Sequence, residues 1–141
     1  MKKTDLRELA SLFFTTRQMI RANLPQGQAD PNAWMRCETL RFIDEHGRPT
    51  MREVAAHLRI TAPSATSLIR KLQRLGWTLR KPSGSDRRVV RISLTPTGKR
   101  ELSRYRTRAE VTMRRVFSKL PERDLSHLIR VLRTLNDVHH S

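Results

Sequence analysis

Cysteine is almost absent from this chain. Cys37 is the single one, which excludes an intramolecular disulfide and any multi-cysteine zinc site within one chain and fits a reducing compartment. Glycine is scarce too: none of the five belongs to a phosphate-cradling loop. No apolar stretch reaches the length that crosses a bilayer. Met1-Lys2-Lys3-Thr4-Asp5 leads into an amphipathic segment instead of the apolar core of a signal peptide, so the expectation is a soluble, cytoplasmic protein. His46, His57, His127, His139 and His140 show neither a His-Glu-x-x-His pattern nor the carboxylate spacing of a metal site. With no nucleophile beside a credible base, no cofactor and no enzymatic activity are expected.

Acidic residues are also few, 13 against 29 lysines and arginines, for a net charge of +16 and an isoelectric point near 11.7. Positive charge at this density favours a polyanionic partner, because neutralising phosphates releases condensed counterions. An anionic membrane or an acidic protein satisfies the same charge. The basic residues, however, are spread through capped globular elements and not gathered on one basic amphipathic helix, which disfavours a membrane surface.

The 141 residues suit one domain, completed by a partner subunit. Leu6, Leu9, Ala10, Phe13, Ile20 and Leu24 place one apolar stripe on a first helix that ends near Pro25. After a loop at Pro25-Gln26-Gly27-Gln28, Asp30 as N-cap and Pro31 at the first helical position open a second helix through Trp34, Cys37, Leu40 and Ile43 to Gly47. Thr50-Met51-Arg52-Glu53 is a capping-box pattern. It starts a short helix with Met51, Val54, Ala55 and Leu58 on one side. A break at Arg59-Ile60 leads to Thr61, a second N-cap, and to a helix whose stripe is Ala65, Leu68, Ile69, Leu72 and Leu75 before Gly76 as C-cap. Two short capped helices joined by a tight turn make a helix-turn-helix.

Beyond Gly76 the period changes. Trp77 to Lys81 reads as a strand, Pro82-Ser83-Gly84-Ser85-Asp86 as a turn, and Arg87 to Leu94, with Val90, Ile92 and Leu94 alternating with Arg91 and Ser93, as a second strand. Thr95-Pro96 then opens a long helix through Leu102, Tyr105, Ala109, Met113, Val116 and Leu120. Pro121 opens a last one carrying Leu125, Leu128, Ile129, Leu132 and Leu135. The expected fold is mainly α with a small β-hairpin wing, in the order ααααββαα.

Residues on a helix advance about 100° each, so the side opposite the stripe of the Thr61 to Leu75 helix holds Pro63, Thr66, Ser67, Arg70 and Arg74, flanked by Ser64 and Lys71. Short hydroxyl side chains let the backbone come close to a duplex, and arginine supplies the fork that suits guanine in the major groove. A merely solvated helix face has the same composition. The hairpin adds weight, because Arg80, Lys81, Arg87, Arg88 and Arg91 crowd around one turn, where a narrow basic tip can enter a minor groove. Asp86, opposite in sign, suits pairing with one of these arginines, or bonding the local backbone as a turn former.

Glu53-Val54-Ala55-Ala56-His57-Leu58, Leu72-Gln73-Arg74-Leu75-Gly76-Trp77, Asp86-Arg87-Arg88 and Leu94-Thr95-Pro96-Thr97-Gly98, in that order, resemble the MarR family of bacterial regulators. Trp77-Thr78 departs from the two aliphatic residues usual after that glycine. The resemblance implies a homodimer with interleaved first and last helices (residues 1–24 and 121–141) and a winged helix-turn-helix at 50–94 set on duplex DNA. It implies that Arg88 enters the minor groove, that Asp86 holds it and that Arg87 lies nearer the backbone. It also implies a small aromatic or anionic effector, for which Arg17, Trp34 and Met35 are candidate lining residues. Some members sense oxidants through cysteine; in register with Trp34, Leu40 and Ile43, Cys37 reads first as a small buried hydrophobe. The terminal stripes, including Phe13, Phe14, Leu125, Leu128, Ile129 and Leu132, offer more apolar surface than a thin monomeric layer covers. The function expected is a sequence-specific, dimeric DNA-binding regulator, a repressor first of all. A non-specific architectural or RNA-associated basic winged-helix protein is the alternative, which the charge of +16 favours.

Overall fold

The computed structural model describes residues 2–24, 32–84 and 86–140. Its order is α1 (Lys3–Ala22), α2 (Ala33–His46), α3 (Met51–Leu58), α4 (Ala62–Arg74), β1 (Thr78–Ser83), β2 (Asp86–Leu94), α5 (Pro96–Phe117) and α6 (Glu122–His140), the ααααββαα succession read from periodicity and caps. The loop expected at Pro25 to Gln28 lies outside the described residues, as do Asp30, Pro31, Ser85 and the side chain of His140. α2 is described from Ala33, with Asn32 in the N-cap position. The chain divides into two compact units, residues 26–107 and the two terminal stretches 1–25 and 108–141.

In the central unit, Leu40, Phe42 and Ile43 of α2 meet Val54 of α3, Ile69 and Leu72 of α4, Ile92 of β2 and Leu102 of α5 in one buried cluster. The local chemistry fixes where each helix begins. Thr50 and Glu53 form a true capping box: the Glu53 N–H donates to Thr50 Oγ1 at 3.3 Å and the Thr50 N–H donates to Glu53 Oε2 at 2.7 Å, satisfying two end donors of α3. The bond from the Thr50 N–H, above all, holds the Glu53 carboxyl below the ordinary carboxylate range. Thr61 caps α4, its Oγ1 accepting from the Ser64 N–H at 3.3 Å. At the other end Leu75 is the C-cap, and Gly76 follows it at a φ of 75°, the left-handed turn out of a helix that glycine makes without strain. Leu75, expected in the core stripe, is exposed, because at the helix end it lies past the last turn that α4 buries.

The hairpin is longer than its sequence suggests. β1 and β2 pair antiparallel from Thr78 opposite Leu94 to Ser83 opposite Asp86, with an irregularity at Pro82 and Ser83. Pro82, expected in the turn, lies within β1. That strand has an unpaired outer edge where a missing N–H costs no ladder bond. β2 is engaged on both sides: Thr50 bridges to Arg91, and the Ile92 N–H donates to the Pro49 carbonyl at 2.9 Å. At the start of α5, Thr95 Oγ1 accepts from the Gly98 N–H at 3.0 Å and donates to the Gly76 carbonyl at 2.5 Å.

In the terminal unit α1 buries no residue. Leu9, Phe13 and Phe14 are 59, 69 and 61% exposed, and Leu132, Leu135 and Val138 of α6 are exposed as well. Among the described residues no helix is long and apolar enough to cross a membrane.

Candidate nucleic-acid interface

The helical period places Pro63, Thr66, Ser67, Arg70 and Arg74 on one side of α4. With Ala62 they line an open groove of about 560 Å³. The opposite side carries Ala65, Ile69 and Leu72 into the core, so the groove lies on a helix anchored from behind. Its lining combines small side chains with the two arginines. The Thr66 hydroxyl donates to the Ala62 carbonyl at 3.0 Å, which leaves its lone pairs free to accept. Ser64 is drawn toward the cap, its Oγ 2.8 Å from Thr61 Oγ1.

The side chains of Arg70, Lys71, Arg74, Arg80, Lys81, Arg87 and Arg88 are exposed, and none is bonded or ion-paired to another described residue. Two clusters of uncompensated cations, on α4 and at the hairpin tip, therefore belong to the same compact unit.

Two other wing residues have partners within the protein. Arg91 is half-buried: its Nε donates to Ser83 Oγ at 3.1 Å and its Nη1 to the Arg48 carbonyl at 3.1 Å. It ties β2 to the end of β1 and to the loop before α3. Asp86 pairs with no guanidinium among the described residues; its Oδ1 accepts the Arg88 N–H at 3.0 Å. A carboxylate two residues ahead bonds the backbone more readily than it reaches along a strand, so Asp86 shapes the turn that carries Arg88.

Behind α3 lies a network that the sequence did not reveal. Phe42 stacks on His57, ring centroids 4.1 Å apart, and lies 4.1 Å from His46. His57 Nε2 is 2.8 Å from Glu38 Oε1. Arg41 bonds both Glu38 and Glu45, and Arg106 reaches Asp44 at 3.3 Å. Hydrogen bonding from Arg41 and, against the cost of burial, from His57 holds the Glu38 carboxyl below the ordinary carboxylate range. The partners are 19 residues apart in one case and 62 in another, beyond what local pattern reveals.

The three candidate effector-lining residues do not gather in one unit: Arg17 lies on α1 in the terminal unit, and Trp34 and Met35 lie on α2 in the central one. Cys37 is half-buried and forms no disulfide within the chain.

Comparison with known proteins bears on the fold. Residues 34–89 match the model of the MarR family. The uncharacterized HTH-type transcriptional regulator YsmB of Bacillus subtilis is 28% identical over 87 residues, a match that spans 62% of this chain and 60% of that protein's length. A MarR family protein from Bacillus stearothermophilus superposes with a TM-score of 0.79 at 21% identity, covering 100% of this chain and 99% of the other. FabT of Streptococcus pneumoniae, solved in complex with DNA, superposes with a TM-score of 0.74 at 20% identity over 99% and 98%. The MarR winged-helix fold thus extends over the whole chain.

Proposed function

We propose that this chain, a protein of the MarR fold whose residues 34–89 match that family's model, is a sequence-specific duplex-DNA-binding transcriptional regulator that acts as a homodimer. The observation that carries the reading is the α4 groove, lined by Ala62, Pro63, Thr66, Ser67, Arg70 and Arg74, in one unit with the unpaired cations of the wing. α4 enters a major groove; its small residues permit close approach and Arg70 reads a base edge. Arg80, Lys81, Arg87 and Arg88 hold phosphates or the minor groove beside it. Occupancy of DNA, repression in the simplest case, is the whole of the action, and no catalytic step is assigned.

A dimer is supported by α1, a helix of 20 residues with none buried. An apolar face of that length left in water is costly, and a second copy offers the same face in return. The charge of +16 favours a second reading, a non-specific basic architectural protein.

Selection of bound sequences from a random duplex pool tests both. A regulator of this kind enriches two inverted half-sites about one helical turn apart. Arg88→Ala then weakens binding to every duplex, whereas Arg70→Ala also relaxes base preference. No enriched sequence, with equal affinity for random and selected duplexes at physiological salt, supports the architectural reading. Unchanged affinity in both variants refutes the mechanism.

A further inference from the structure

α3 ends at Leu58, and Arg59 to Thr61 turn the chain into α4. Arg59 is the C-cap of α3 and sits at φ 53°, ψ 43°, in the left-handed region. Its N–H donates to the Ala56 carbonyl at 3.2 Å, and the Ile60 N–H donates to the Ala55 carbonyl at 3.1 Å. These bonds satisfy the last carbonyls of α3 and account for the conformation, since a chain that leaves a helix this abruptly needs one left-handed residue. They do not account for the residue. Glycine takes that conformation without strain and asparagine takes it easily, whereas the Cβ of an arginine crowds the following carbonyl.

Inside the protein the Arg59 side chain has no use: it is exposed, and it makes no hydrogen bond or ion pair to any described residue. The other non-glycine residue at positive φ among the described residues is also an arginine, Arg48 at φ 60°. It too is exposed, and its side chain has no partner among the described residues. The two bracket α3. Arg48 stands beside β2, which bonds its carbonyl through Arg91, and Arg59 stands two residues before the Thr61 cap of α4. Between them Arg52 is exposed, seven residues before Arg59 and so near the same side of the helix axis. In helix-turn-helix docking the first helix crosses the sugar-phosphate backbone while the second enters the groove.

We propose that Arg59 and Arg48 are phosphate grips at the two ends of α3, arginines kept at left-handed positions because their guanidinium groups hold the duplex backbone on either side of it. Strain retained at a position where a smaller residue would relieve it is what a site pays for a contact with a partner. This assignment rests on the duplex-binding function proposed above. The two residues position the protein; they do not read bases.

The test uses the full chain with Arg59→Gly, Arg59→Asn, Arg59→Lys and Arg48→Asn. Affinity for a selected and a random duplex is measured by fluorescence anisotropy across a salt series, beside thermal unfolding of each variant. The glycine and asparagine variants should melt at the parent temperature or above it. They should bind both duplexes about three- to tenfold more weakly, by the same factor for each. The slope of log affinity against log salt should become shallower by about 0.9 for each phosphate contact removed. Arg59→Lys should keep the parent slope. Unaltered affinity and slope overturn the assignment, as does a lowered melting temperature, which would make Arg59 a packing residue. Loss of discrimination between the duplexes, instead of equal weakening, overturns it as well. A parent protein that binds no duplex overturns the proposed function and this assignment with it, whereas a binding parent with indifferent variants overturns this assignment alone.

Discussion

Gly98→Ala sets two effects of opposite sign against each other. Gly98 lies in the first turn of α5, where alanine is the better helix former by about 1 kcal/mol; propensity alone makes the substitution stabilising. A Cβ on Gly98, however, would meet the Trp77 carbonyl oxygen at 2.0 Å and its carbon at 2.9 Å, against an ordinary C···O contact of about 3.3 Å. The carbonyl has no freedom to withdraw. It accepts the Thr95 N–H at 3.0 Å, and Thr95 in turn caps Gly98 and bonds Gly76. Overpacking of this kind costs about 1–3 kcal/mol, and one lost backbone bond adds about 1 kcal/mol. The net expectation is a destabilisation of about 1–3 kcal/mol, measured as a lower denaturant midpoint with an unchanged slope. Because the same contacts set the root of the hairpin, duplex affinity should fall as well. A variant as stable as the parent, or more so, would refute the reasoning and show that the α5 start gives way without cost.

Arg91→Met should speed hydrogen exchange along β2 and weaken duplex binding through a loosened wing. Arg88→Ala then costs less in that background than in the parent, and fully additive costs would show instead that Arg91 touches DNA itself. The Glu38 carboxyl is held low chiefly by Arg41 and then by His57, so its contribution to stability is present above the ordinary carboxylate range and lost as pH falls through its depressed value. Glu38→Gln should therefore flatten the acid limb of a stability-against-pH curve; a variant with the parent's limb would show that other carboxylates control it.

What the sequence made legible was whatever local chemistry decides. The Thr50-Glu53 box, the Thr61 cap, the left-handed exit at Gly76 and the stripe of Ala65, Ile69 and Leu72 lie within a few residues of what they control. The side of α4 that lines the groove follows from that stripe by rotation alone. What stayed hidden depends on partners far along the chain. Nothing near Arg91 announces the Arg48 carbonyl, 43 residues away, and an arginine on a basic hairpin reads as one more cation until its guanidinium is seen turned inward. Pro82 looked like a turn residue because a strand interior rejects proline; only the pairing shows that β1 leaves an edge open for it. The roles of Asp86 were open in sequence for a different reason, since one carboxylate suits both a guanidinium and an N–H, and distance chose the N–H.

The double engagement of β2, with β1 on one side and with Pro49 and Thr50 on the other, makes the residue that caps α3 also the hinge pin of the wing. The helix-turn-helix and the hairpin therefore share a fixed span, like the jaws of a gauge. Under the proposed function, such a span would set how far apart on a duplex the α4 contacts and the wing contacts fall. Stretches whose minor groove is already narrow would seat in it at less cost than those that must be deformed, so the proposed selectivity would draw on a length held in the backbone as well as on the arginines it carries.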